Sequence, residues 1–334
     1  MRMNLARSGG LAVILMLSSL FSAAEAAETG APDATVWRVP DVGALPDDAR
    51  GRQIRRGRDL VTQTYALLGP DARDPADRFA GNSLACSYCH LDAGTKKFGL
   101  PLFGLYDAYP RYSARSGTEI SIEDRVNSCM TRSLNGRPLP TDSPQMQAFV
   151  AYVKFLSSDM PKGAPLPGHG AGDMAYLDRA ADPARGEKIY ADVCRKCHRE
   201  EGGGLPRDPE ALAAGYAAPP LWGAESFNDG AGMARLATMA NFAHSNMPPG
   251  ADYLNPRISV ENAWDVAAYV ESQPRPREPG LDRDFPALLD KPIDTAYGPY
   301  ADGFSETQHK YGPYAPIRAE VARLKAEQEK SGTK

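Results

Sequence analysis

Neither sign of charge is in excess in this chain of 334 residues: 38 lysines and arginines stand against 42 aspartates and glutamates, for a net charge of −4. A broad cationic field is missing, which excludes nucleic acid as a partner. Long apolar runs are also scarce. The one in the N-terminal region, Leu11 to Phe21, is shorter than the roughly 20 residues a bilayer span requires, so stable membrane insertion is not expected. No useful stretch alternates apolar and polar residues, so strands are not expected to carry the fold. Histidine and cysteine number only five each. What is abundant is apolar residue content, 42% of the chain, enough for one large core or two ordinary ones.

Arg2 and Arg7 precede the apolar run, and Ala24-Glu25-Ala26 follows it. That order is the pattern of a secretory signal peptide spanning 1–26, and the expected product is an exported, periplasmic protein. An oxidising compartment ordinarily pairs cysteines, so an odd count is informative. Four of the five fall in two copies of one pattern, Cys86-Ser-Tyr-Cys89-His90 and Cys194-Arg-Lys-Cys197-His198, and Cys129 is left over.

Each copy follows a helical stretch. The first carries Ile54, Gly57, Val61, Tyr65 and Leu68; the second opens with Asp182-Pro183, an N-cap followed by a proline at the first helical position. A second amphipathic helix closes each copy, one starting at Ser143-Pro144 and the other at Ser259. The stretch Pro161 to Gly172 is rich in Pro and Gly and reads as a linker. The expected fold is all-α: two cytochrome c class I-like domains at 27–160 and 182–275, joined by a linker at 161–181. A Tyr/Gly/Pro-rich extension at 276–334 ends in a charged helix from about Ala319 to Lys330. This extension is expected to pack over the domains for stability.

In C-x-x-C-H the two thiols form thioethers to haem vinyl groups and the histidine sits under the ring to bind iron. Two copies in matching helical contexts predict two covalent c-type haems, with His90 and His198 as proximal ligands. A zinc site with ordinary spacing would not need a histidine adjoining each pair. The opposite face of each iron needs a ligand from the loop that follows. In the second half Met247, in Asn246-Met-Pro-Pro-Gly250, is favoured over Met239 and His244 because a thioether raises the potential. The first half has no Met-Pro in that place. Cys129 stands there instead, with Met130 as a rival; Arg125 and Arg132 flank it and would lower its pKa, and a thiolate on iron favours the ferric state. Arg111, Arg115, Arg125 and Arg132 crowd one segment, and guanidinium groups suit small dianions through bidentate hydrogen bonds. A nucleophilic sulfur, oxyanion donors and one-electron acceptors together suggest redox chemistry on a sulfur oxyanion.

The chain resembles the dihaem thiosulfate dehydrogenases, or tetrathionate synthases, from about Arg55 to Ile317. The likeness rests on the first haem signature with Leu91-Asp-Ala-Gly-Thr95, on Arg125-Val-Asn-Ser-Cys-Met-Thr-Arg-Ser-Leu-Asn-Gly136, on Pro219-Pro-Leu-Trp-Gly223, on Asn246-Met-Pro-Pro-Gly250, and on Tyr297-Gly-Pro-Tyr300 with Gln308-His-Lys310. The resemblance implies coupling of two thiosulfates into tetrathionate, with electrons passed to a small periplasmic acceptor cytochrome. It also implies a catalytic haem held by His90 and Cys129 and a second held by His198 and Met247. Asn246 stands where the family can carry lysine, so a lysine-to-methionine ligand switch is not implied here. The same fold could run as a tetrathionate reductase. In a non-catalytic dihaem electron-transfer protein, replacing Cys129 would alter the spectrum but remove no substrate turnover, and a dihaem peroxidase would need an open iron site.

Overall fold

Side-chain caps set the helices, those at Ser143, Asp182 and Ser259 as expected and one more at Asp48. Asp48 accepts from Gly51 N at the start of α1 (Ala49–Thr62), and Ser143 accepts from Met146 N at the start of α5 (Pro144–Leu156). Between them lie the short turns α2 (Thr64–Leu67) and α3 (Leu91–Gly94), a small hairpin of β1 (Arg111–Ser113) and β2 (Thr118–Ile120), and α4 (Ile122–Arg132). The second half repeats the order. Asp182 caps α6 (Pro183–Ile189), which runs through a π turn at Tyr190–Cys194 into α7 (Arg195–His198). A hairpin of β3 (Leu205–Pro206) and β4 (Tyr216–Ala218), then α8 (Leu236–Asn246) and the Ser259-capped α9 (Val260–Ser272), complete it. The extension adds α10 (Glu306–Tyr311) and α11 (Tyr314–Gly332). The computed structural model describes residues 37–158 and 167–332; the expected signal peptide lies outside them, as does part of the expected linker.

In both halves the first and last helices cross closely, and a glycine makes this possible. A Cβ on Gly57 of α1 would collide with the carbonyl oxygen of Ala148 in α5, and one on Gly186 of α6 with that of Asp265 in α9. Backbones therefore meet directly at each crossing, and apolar residues close around them. Ile54, Leu60, Met146 and Phe149 fill the first core; Trp264, Ala267, Leu236 and Ala240 fill the second.

Three expectations are modified. The first helix stops at Thr62 because Thr64 turns inward: its buried hydroxyl accepts from Cys86 N at 3.1 Å and bonds back to Leu60 O at 2.6 Å. The closing helix starts at Tyr314, five residues early, because Tyr314 packs on Tyr176 and Trp264 and Ile317 is fully buried. The glycines at the end of the expected linker are not a loose spacer. Phe98 N donates to Gly168 O at 2.7 Å and Leu100 N to Gly170 O at 3.0 Å, so this segment pairs with the loop after the first haem signature.

The described residues fall in one compact unit. The loop carrying Ser226 and Asn228 joins the halves. Asn82 and Asn135 donate to Ser226 O, while Asn228 bonds to the carbonyls of Thr131 and Arg132 at the end of α4. No helix among the described residues is long and apolar enough to cross a membrane.

Candidate active site

Both C-x-x-C-H signatures open on one apolar cavity of ≈ 350 Å³, lined by Cys86, Cys89 and His90 from one side and Cys194, Cys197 and His198 from the other. No disulfide joins any of the five cysteines. In each half a backbone carbonyl fixes the histidine. His90 Nδ1 bonds to Leu100 O at 2.5 Å and His198 Nδ1 to Pro219 O at 2.8 Å. A carbonyl only accepts, so Nδ1 carries the proton and Nε2 keeps its lone pair for a metal. Leu100 holds a positive φ of 49°, a conformation unusual for leucine, at the residue whose carbonyl orients His90. Thiol pair, oriented imidazole and an apolar wall are the donor set and surroundings a c-type haem needs, and both halves have them.

One face of α4 forms the wall opposite His90. Ile122, Arg125, Val126, Cys129, Met130 and Ser133 recur at helical spacing along the cavity. A capping box between Ser121 and Asp124 starts this helix and sets its phase. One helical turn separates Arg125 from Cys129, and the guanidinium Nη1 lies 3.0 Å from the sulfur. Burial opposes ionisation of Cys129, but the Arg125 guanidinium beside it, through its charge and its hydrogen bond, favours the thiolate and draws the thiol below its ordinary value. Three of the attachment cysteines shift the other way. Burial pushes Cys86 and Cys194 up to about 11 and Cys89 up to about 12. One thiol in this cavity is therefore built to be a thiolate, and it is the one outside the signatures.

The arginines divide by position. Arg125 lines the cavity. Arg132 turns away and grips the Asp284 carboxylate of the extension with two bonds of 2.8 Å, and also donates to Gly230 O. Arg115 reaches the same carbonyl and stands 3.9 Å from Asp284; burial, then the neighbouring charge of Arg132, lowers its pKa. Arg111 is exposed on β1, with its guanidinium over the Tyr109 ring at 4.9 Å. The extension therefore does more than cover the domains. Asp284, held also by the Tyr297 hydroxyl at 2.7 Å, supplies the counter-charge of a cluster that borders the Cys129 helix. Asp284 and Tyr297 carry no local sequence signal for this role, since Asp284 lies 152 residues from Arg132.

On the second side, Met247 lines the cavity with Met233, Met239 and Phe242, while His244 does not. Met247 sits just past the end of α8 in extended backbone, followed by Pro248 and Pro249. Asn246 before it is buried and donates to Phe98 O at 2.9 Å, which ties the loop to the first half.

Comparison with known proteins agrees with this arrangement. Residues 77–162 match the family model for the SoxA/TsdA cytochrome c domain, and residues 183–274 match that for cytochrome c. A thiosulfate dehydrogenase of Allochromatium vinosum is 42% identical over 250 residues, covering 73% of this chain and 86% of its own. One of Stutzerimonas stutzeri is 36% identical over 247 residues, covering 73% and 75%. Among solved structures, the thiosulfate dehydrogenase TsdBA from Marichromatium purpuratum, in its "as isolated" form, superposes with a TM-score of 0.66 at 31% identity. That match covers 74% of this chain and 51% of the other, so this chain spans about half of the longer protein. With two cytochrome c domains, two c-type haem sites and relatives of this identity over most of its length, the chain belongs to the dihaem thiosulfate dehydrogenase family of oxidoreductases.

Proposed function

We propose that the protein couples two thiosulfates into tetrathionate in the periplasm, with Cys129 as the covalent sulfur carrier and distal ligand of the first haem. The observation that carries this reading is the Arg125 guanidinium 3.0 Å from Cys129 Sγ, in the same cavity as His90. His90 and Cys129 hold the catalytic haem, and His198 and Met247 hold the second. The domain limits that go with this reading are 27–160, 182–275 and 276–334, with 1–26 removed on export and 161–181 between the halves.

What two c-type haems supply when bound is one-electron acceptor capacity, and two of them match the two electrons released when two thiosulfates are joined. The protein's residues do the rest. Arg125 draws thiosulfate toward Cys129, while Arg132 and Arg115, paired with Asp284, brace the helix that carries it, and exposed Arg111 lies at the margin. The Cys129 thiolate forms a bond to the sulfane sulfur, giving Cys129–S–S–SO₃⁻ and releasing two electrons. A second thiosulfate attacks that sulfane sulfur, the bond to Cys129 breaks, and tetrathionate leaves as the thiolate is restored, as in thiol–disulfide exchange. The electrons pass on to a small periplasmic cytochrome.

The test is thiosulfate-dependent reduction of an artificial acceptor by haem-loaded protein, beside Cys129→Gly at matched haem content, with tetrathionate measured as product. Turnover in the parent that is lost in the variant is the expected result. Equal turnover in both removes Cys129 from the reaction.

A further inference from the structure

The carbonyl that orients His198 belongs to a short strap, Tyr216 to Pro219, that leads from β4. One edge of β4 pairs with β3, where Leu205 stands opposite Ala218. Among the described residues no third strand covers the other edge. There the N–H and C=O of Tyr216 meet a single side chain: Tyr216 N donates to the Tyr88 hydroxyl at 2.6 Å, and that hydroxyl donates back to Tyr216 O at 2.9 Å. A phenol thus makes both bonds that an adjacent strand residue would make. It answers the requirement that buried backbone groups be paired, since Tyr216 is 2% exposed.

Tyr88 is the second of the two residues between the cysteines of the first haem signature. Its ring stacks on Tyr65 at a centroid separation of 6.4 Å, which fixes the direction of the hydroxyl. We propose that Tyr88 is a positioning residue for the second haem: acting from the attachment loop of the first, its hydroxyl clamps the β4 strap and so holds the Pro219 carbonyl against His198. The connection is short and stiff. Tyr216 and Pro219 are three residues apart, Pro219 and Pro220 have fixed φ, and Ala218 is restricted by the proline after it. A shift at Tyr216 has little slack in which to be absorbed before it reaches the carbonyl. The strap at Leu100 is held differently, by backbone bonds from Phe98 and Leu100 to Gly168 and Gly170, with one side-chain bond from Asn246 to Phe98 O.

The bond from Nδ1–H to a carbonyl raises the basicity of a metal-bound imidazole, and a more basic ligand favours the ferric state. Loosening it raises the potential. The inference rests on His198 as a proximal ligand, and its test separates the two. In haem-loaded Tyr88→Phe, which keeps the ring and its stack, a spectroelectrochemical titration should show the midpoint potential of the His198 haem moving up, with that of the His90 haem moving less. Tyr152→Phe, which deletes a comparable buried hydroxyl bonded to Ala93 O at 2.8 Å, should leave the His198 haem where it was. A lower melting temperature with both potentials unchanged, or an equal or larger shift at the His90 haem, overturns the clamp. In the unsubstituted protein, the Tyr216 amide should exchange slowly although β4 is short and an edge; rapid exchange there also overturns it. The His198 ring proton, followed by NMR in the reduced protein, reports on the ligand itself: without a ring-current shift, the ligand reading fails independently of the clamp.

Discussion

The two halves share caps, a glycine crossing and a carbonyl-oriented histidine, and they differ in how they offer a sulfur across the cavity. In the first half the sulfur sits within a helix, so it has a neighbour one turn away, and that neighbour is Arg125. In the second it lies past a helix end, in extended backbone followed by two prolines, with methionine and phenylalanine side chains beside it. A helix places a charge next to the sulfur and makes an anion; a loop among apolar groups suits an uncharged thioether. One architecture used twice therefore sets a thiol beside a cation in one place and a thioether among apolar groups in the other.

The most severe way to break this contrast is to delete the reactive sulfur. Cys129→Gly should lower thiosulfate turnover by at least about 10³-fold, as loss of a nucleophile does, while changing the spectrum of the first haem alone. Equal spectral change at both haems would mean that the halves are not independent in ligation. Next in size is Asp284→Ala, which removes the bidentate partner of the buried Arg132 and leaves it Glu278 at 3.8 Å and the Gly230 carbonyl, and should cost about 1.5–3 kcal/mol in chemical denaturation of the haem-loaded protein. A loss below about 1 kcal/mol would place that pair among solvent-screened ones. Arg125→Met removes a charged hydrogen bond worth about 1.5–3 kcal/mol, and should reduce kcat/KM roughly 10- to 150-fold without changing the potential of the second haem. The smallest effect belongs to Arg111→Ala. Exposed over Tyr109, it should change stability by less than about 0.5 kcal/mol and leave turnover within twofold. A large loss there would move the substrate's approach to the β1–β2 hairpin.

Features set by residue type or helical period were legible in the sequence. The signatures, the caps at Asp182, Ser143 and Ser259, and the odd cysteine all belong to this class. So does Arg125, since a spacing of four puts two side chains on one helical face. Features that depend on backbone atoms or distant partners were hidden. Any residue has a carbonyl, so Leu100 and Pro219 carry no mark of orienting a histidine. Arg132 flanks Cys129 as closely as Arg125 does, and only the fold shows that it is turned toward Asp284. Prolines and glycines at 161–172 suggest a free spacer, yet Gly168 and Gly170 are committed to the first half through bonds that any backbone can make.

The bidentate grip of Arg132 on Asp284 has a consequence for the order in which the molecule is built. A chain is made from its N-terminus, and the half bearing Cys129 emerges first. Its arginines receive their carboxylate only when a residue 152 positions later has arrived and docked. During that interval the cysteine helix already carries its positive charges but not the contact that neutralises them. The half made first is the half completed last.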